Sequence, residues 1–98
     1  MIARRKGVDG GGSVRAGWSE SDRQLLALFG ARVRRFRKEK GYSIAVLAGQ
    51  ADLDASYLGE LERGRKNVSL VTAARIAAAL AVPVSVLLTP ETRQPPGQ

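Results

Sequence analysis

Between Ser43 and Gly64 the chain carries two sets of helix start and stop signals, packed so closely that two short helices joined by a tight turn satisfy both. Ser43 stands where an N-cap belongs. Ile44, Leu47, Ala48 and Ala51 follow at steps of three and four and give the first of these helices one apolar face. Asp52 takes the turn, because its short side chain bonds locally and tolerates a left-handed backbone. Asp54 caps the next helix, predicted over 55–63, in which Leu58 and Leu61 turn inward while Ala55, Ser56, Gly59, Glu60 and Arg63 lie on other faces. Gly64 ends it. The two leucines use up the inner face of this second helix, and its outer face is small and polar. Such a helix is free to enter another surface, and the major groove of DNA just admits an α-helix.

The flanks supply the rest of a core. Ser19 or Ser21 can cap a first helix, with Asp22 and Gln24 respectively in capping-box position, and the helix is predicted to run to about Lys40 before Gly41 stops it. Leu25, Leu26, Phe29, Val33 and Phe36 define its buried stripe, with Arg32, Arg34, Arg35 and Lys38 around the remainder. A basic amphipathic helix of this kind also suits a membrane surface, but compact helices follow directly and the stripe is what a three-dimensional core requires. Ser69 caps a fourth helix. Its Val71, Ala74, Ile76, Ala77, Leu80 and Ala81 are apolar on nearly every side, which places it at the centre of the core. Pro83 breaks it, and a last helical turn is predicted over 85–88. Leu87 and Leu88 either close the bottom of that core or join Val84 and Val86 on a face that serves a two-fold partner, and a homodimer is expected there.

Outside this domain, set at residues 19–88, the composition changes. Residues 1–18 combine glycine with Arg4, Arg5, Lys6 and Arg15 and offer little to bury, so they read as a disordered basic arm. That arm either tracks phosphates or is a plain extension whose loose cations raise non-specific affinity. The proline-rich residues 89–98 read as a disordered tail.

Composition narrows the chemistry. With no cysteine and no histidine among 98 residues, the chain has no thiolate, no imidazole base and none of the usual zinc ligands, so no metal or cofactor is expected. No nucleophile, base and orienting group can be named together, and an enzyme is all but excluded. A net charge of +7 points to a polyanion, most economically nucleic acid. Neither a membrane-spanning run nor the apolar core of a signal peptide is present, so a cytoplasmic, nucleoid-associated location is expected.

The run Gly-Tyr-Ser from Gly41, Leu47-Ala48, Leu53-Asp54-Ala55-Ser56-Tyr57-Leu58, and then Glu60-Leu61-Glu62-Arg63-Gly64-Arg65-Lys66-Asn67-Val68-Ser69-Leu70 resembles the phage repressor and Cro type of helix-turn-helix regulators, the XRE family. Within that family these segments look most like the controller proteins of restriction-modification systems. The resemblance spans about residues 28 to 88 and rests on several spacings that agree together. It implies an all-α fold, a compact five-helix bundle with a lambda-repressor-like helix-turn-helix. It also implies an ion pair joining Arg37 in the first helix to Glu62 at the end of the recognition helix, where the plain alternative is two solvated charges. Carried over residue by residue, the base-contact positions are Ala55, Ser56, Tyr57 and Glu60, and the phosphate-contact positions are Ser43, Arg34, Arg63, Arg65, Lys66 and Asn67. The basic loop at 63–67 also reads as a phosphate-binding loop from its own composition and place.

Two positions depart from the family pattern. Ile44 stands where glutamine is usual and cannot hydrogen-bond a phosphate. Ala55 replaces a long polar reader and offers only a methyl contact, for example to thymine. Affinity is therefore expected from cations, chiefly Arg63, Arg65 and Lys66 with some of Arg32, Arg34 and Arg35, and specificity from a few small contacts and DNA shape. The implied function is a sequence-specific, double-stranded DNA-binding transcriptional regulator, dimeric on a pseudo-palindromic operator, with its own gene as a candidate target. The alternative is an antitoxin-like protein that holds a partner protein, with DNA binding secondary.

Overall fold

The computed structural model describes residues 17–90. Among these the chain forms five helices and no strand: α1 Glu20–Glu39, α2 Ile44–Ala51, α3 Ala55–Glu62, α4 Leu70–Leu80 and α5 Val84–Leu87. The basic residues Arg4, Arg5, Lys6 and Arg15 and nearly all of the tail lie outside the described residues.

Each long element begins where a side-chain oxygen meets an orphan amide. Ser19, rather than Ser21, caps α1: its hydroxyl accepts from the Asp22 N–H at 3.0 Å while the Asp22 carboxylate accepts from the Ser19 N–H at 2.9 Å. Ser43 accepts from the Val46 N–H at 3.0 Å, Asp54 from the Tyr57 N–H at 3.2 Å and Ser69 from the Thr72 N–H at 3.0 Å. Caps of this kind contribute about 0.5–2 kcal/mol each.

The same four helices end alike. A residue in the left-handed conformation follows each of them, and the amide after it reaches back to a carbonyl five residues earlier, which is the Schellman closure. Tyr42 N–H bonds the Arg37 carbonyl at 3.1 Å, Leu53 the Ala48 carbonyl at 2.8 Å, Arg65 the Glu60 carbonyl at 3.0 Å and Val82 the Ala77 carbonyl at 3.0 Å. Gly41 and Gly64 take the left-handed position at φ 76° and 77°, Asp52 at 61° and Ala81 at 60°. Glycine and aspartate suit it, whereas alanine carries a steric cost of about 1–2 kcal/mol. The chain therefore leaves α4 at Ala81, two residues before Pro83.

The core is one cluster: Phe29 and Val33 of α1, Leu47, Ala48 and Ala51 of α2, Leu58 and Leu61 of α3, Ala73, Ile76, Ala77 and Leu80 of α4, and Leu87 of α5. α2 packs on α3 and α4, and α1 closes the other side against α3 and α5. Two expectations are corrected. Leu25 is 49% exposed, because the buried stripe of α1 runs through Phe29, Gly30, Val33 and Arg37 and, at 3.6 residues per turn, Leu25 falls about a quarter-turn off it. α4 is not buried all round: its inward face is Ala73, Ile76, Ala77 and Leu80, while Ala74 is exposed and Leu70 and Val71 are 81% and 62% exposed. In α5, Leu87 is 0% exposed and closes the chain's own core, the first of the two roles expected for it. Val84 and Val86 are half-buried, and Leu88 is exposed.

Candidate nucleic-acid interface

α3 presents its outer face because its inner face is fixed at three places. Leu58 and Leu61 are 0% and 1% exposed in the core. At Gly30, α1 crosses so close to the end of α3 that a Cβ there would lie 2.6 Å from the Glu62 carbonyl oxygen, so only glycine allows the approach. Beside that crossing Arg37 grips Glu62 with two parallel bonds, Nε to Oε2 at 2.7 Å and Nη2 to Oε1 at 2.9 Å, and its Nη1 donates to the Tyr42 carbonyl at 3.0 Å. The carboxylate holds the Arg37 guanidinium above even its usual range, with burial acting the other way. A fork-on-fork pair of this geometry fixes orientation as well as distance.

A fourth brace is Tyr57, half-buried against the core. Burial raises its phenol above the ordinary pKa, with Thr72 acting the other way, so the ring stays neutral. At the start of α4 the Ser69 hydroxyl donates to Thr72 Oγ1 at 3.1 Å. At the start of α2, half-buried Ile44 approaches α3: its Cδ1 lies 3.9 Å from where a Cβ on Gly59 would be. Isoleucine at this position thus packs α2 onto the recognition helix.

What remains outward on α3 is Ala55 and Ser56, both exposed, with Gly59 and Glu60 half-exposed. Arg63, Arg65, Lys66 and Asn67 are all exposed in the loop that follows, as are Ser43 at the start of α2 and Arg34 on α1. Glu60 lies between two of these cations, its Oε2 3.3 Å from Arg63 Nη1 and 3.4 Å from Arg65 Nη1. Arg32, one of the three α1 arginines of which some were expected to add affinity, is spent within the fold. Its Nε donates to the Val86 carbonyl at 3.2 Å and its guanidinium stacks 5.0 Å above the Phe36 ring, so it ties α1 to α5. Arg35 pairs with Glu39 at 2.9 Å.

Sequence reasoning missed Gly30 and the burial of Tyr57. A glycine in the middle of a long amphipathic helix, where it costs stability, was the available signal for the first; nothing marked the second. Among the described residues, no group of acidic side chains could hold a metal ion, and no helix is long and apolar enough to cross a membrane.

Comparison with known proteins agrees with this geometry. A family model for the helix-turn-helix domain matches residues 28–88. The chain is 41% identical over 63 residues to the immunity repressor protein of Bacillus phage phi105, covering 64% of this chain but only 44% of the repressor. It is similar to the restriction-modification controller protein C.AhdI from Aeromonas hydrophila, with 45% identity and a TM-score of 0.62 over 63% of this chain and 94% of the controller. It is also similar to SinR, solved in complex with DNA, with 40% identity and a TM-score of 0.60 over 62% of this chain and 98% of that one; the full SinR of Bacillus subtilis is longer, and 56% of it is covered. These relatives are transcription regulators, not enzymes. The chain belongs to the helix-turn-helix family of DNA-binding transcriptional regulators, of the phage repressor and restriction-modification controller type.

Proposed function

We propose that the chain is a sequence-specific regulator that binds a pseudo-palindromic operator in double-stranded DNA as a homodimer, in the cytoplasm and without cofactor or metal, and that the DNA upstream of its own gene is among its targets. The observation that carries this reading is a recognition helix fixed on its inner side by Leu58, Leu61, Gly30 and the Arg37–Glu62 pair, with small and polar residues outward and a basic loop directly after it.

In this reading Ser56 and Tyr57 meet base edges, and Ala55 brings a methyl to thymine. Arg63, Arg65, Lys66, Asn67, Ser43 and Arg34 meet phosphates and set the register without reading sequence. Tyr57, half-buried against the core, reads with the edge of its ring. Val84 and Val86 of α5 and Leu88 just after it supply the apolar face of the dimer, which places half-sites about 34 Å apart or at a multiple of that spacing.

The test is selection of bound sites from a pool of random duplexes. The protein should enrich inverted half-sites at that spacing, and Ser56→Ala should change the preferred base at one position in each half-site while leaving the spacing intact. Enrichment of a single, unrepeated site would sink the dimer, and an unchanged preference in Ser56→Ala would remove Ser56 as a reader.

A further inference from the structure

The carboxylate on the outer side of α3 works against the function proposed for that face. α3 holds two glutamates, and only one is consumed inside: Glu62 is gripped by Arg37, whereas Glu60 is half-exposed beside the loop cations. Its position there is set by the backbone. The Arg63 and Arg65 N–H groups both donate to the Glu60 carbonyl, at 3.1 and 3.0 Å, as α3 closes on Gly64. That closure folds both arginines back over residue 60, and each places an Nη1 within 3.4 Å of the same carboxylate oxygen. The side chains are 62%, 50% and 36% exposed for Arg63, Arg65 and Glu60, so the pairs are weak and open to exchange with another anion in solution.

We infer that Glu60 is a built-in competitor for the phosphate backbone, occupying Arg63 and Arg65 in the free protein so that attachment to DNA requires exchange of carboxylate for phosphate. The inference rests on the DNA-binding reading above and assigns Glu60 a role that a base contact does not supply. Three charges that would sum to +2 for two arginines alone sum to +1 with Glu60, and the loss falls on non-specific attachment, which depends on phosphate neutralisation alone.

The experiment uses the full chain and its Glu60→Gln variant, with helix content checked by circular dichroism. Fluorescence anisotropy is measured on a scrambled duplex and on a duplex from upstream of the gene, across a salt series. Glu60→Gln should bind the scrambled duplex about three- to tenfold more tightly, and its plot of log affinity against log salt should steepen by about one unit. With Arg63→Gln and Arg65→Gln already in place, the added Glu60→Gln should change scrambled binding less than about twofold. Unchanged scrambled affinity and slope in Glu60→Gln overturn the exchange, as does a loss confined to the upstream duplex, which makes Glu60 a base reader only. A wild-type protein that fails to prefer the upstream duplex counts against the target proposed above, while the scrambled arm still decides the role of Glu60.

Discussion

Arg37 and Glu62 sit with side chains 9% and 5% exposed, where a charge without its partner has no water to turn to. Breaking such a pair costs far more than forming it gains, because the stranded ion must be desolvated alone. Glu62→Ala should therefore lower the free energy of unfolding in urea by about 3–5 kcal/mol, and the double change with Arg37→Met should recover most of it. The recovery falls short by about 1 kcal/mol for the Tyr42 carbonyl, which loses its Arg37 donor. If both single and double variants are equally unstable, the side chains act through packing rather than charge. Tyr57 gives a second residue-level test. Its folded pKa is raised by burial, so the folded state holds the phenolic proton more tightly than the unfolded chain. That contribution to stability is fully present below the unfolded phenol pKa of about 10 and is lost as pH rises through the higher folded value. In a Tyr42→Phe background, absorbance at 295 nm should show Tyr57 ionising later than a tyrosine in an unfolded peptide; an ordinary midpoint would mean the ring is not buried against the core. Neither site was equally plain in the sequence. The Arg37–Glu62 pair was implied by family likeness, since two charges 25 positions apart carry no local signal, and Tyr57 read only as a surface contact.

The helices themselves were legible because their ends are chemical events within a few residues. Ser43, Asp52, Asp54, Gly64 and Ser69 each perform in the structure the cap or stop that their side chains predict. Faces were harder. Periodicity finds an apolar stripe but not its centre, so Leu25 was placed inside, and in an alanine-rich helix such as α4 nearly every face looks apolar until a neighbour covers one of them. The contrast between two glycines measures what the neighbours do. Gly30 faces the Leu61 and Glu62 carbonyls, whereas nothing approaches the Cβ position of Gly49 on α2. Gly30→Ala should cost about 1–3 kcal/mol by forcing α1 off α3. Gly49→Ala should stabilise by about 0.5–1 kcal/mol through helix propensity alone. Thermal or urea unfolding checks both, and a neutral Gly30→Ala would mean that α1 and α3 are not in backbone contact.

At the scale of the molecule, the net charge of +7 is not spread evenly over possible roles. Arg37 and Arg32 are committed to holding helices together, and Arg23 and Arg35 pair with neighbours on α1. In the proposed reading the loop after α3 supplies the cations that meet phosphate, with Glu60 shared between Arg63 and Arg65, and the small outer face of α3 discriminates between bases. The sequence disclosed this division only in outline: charge and composition pointed to a polyanion, but burial alone separates a structural arginine from one that faces solvent. The most direct check is anisotropy of labelled duplexes at physiological salt and across a salt series, comparing the region upstream of the gene with a scrambled duplex. A dimeric specific regulator should bind the upstream duplex about a thousandfold more tightly than the scrambled one, and cooperatively in protein concentration. Equal binding to both, released together as salt rises, would contradict specific recognition of that DNA and leave only the electrostatic attachment that any basic surface makes.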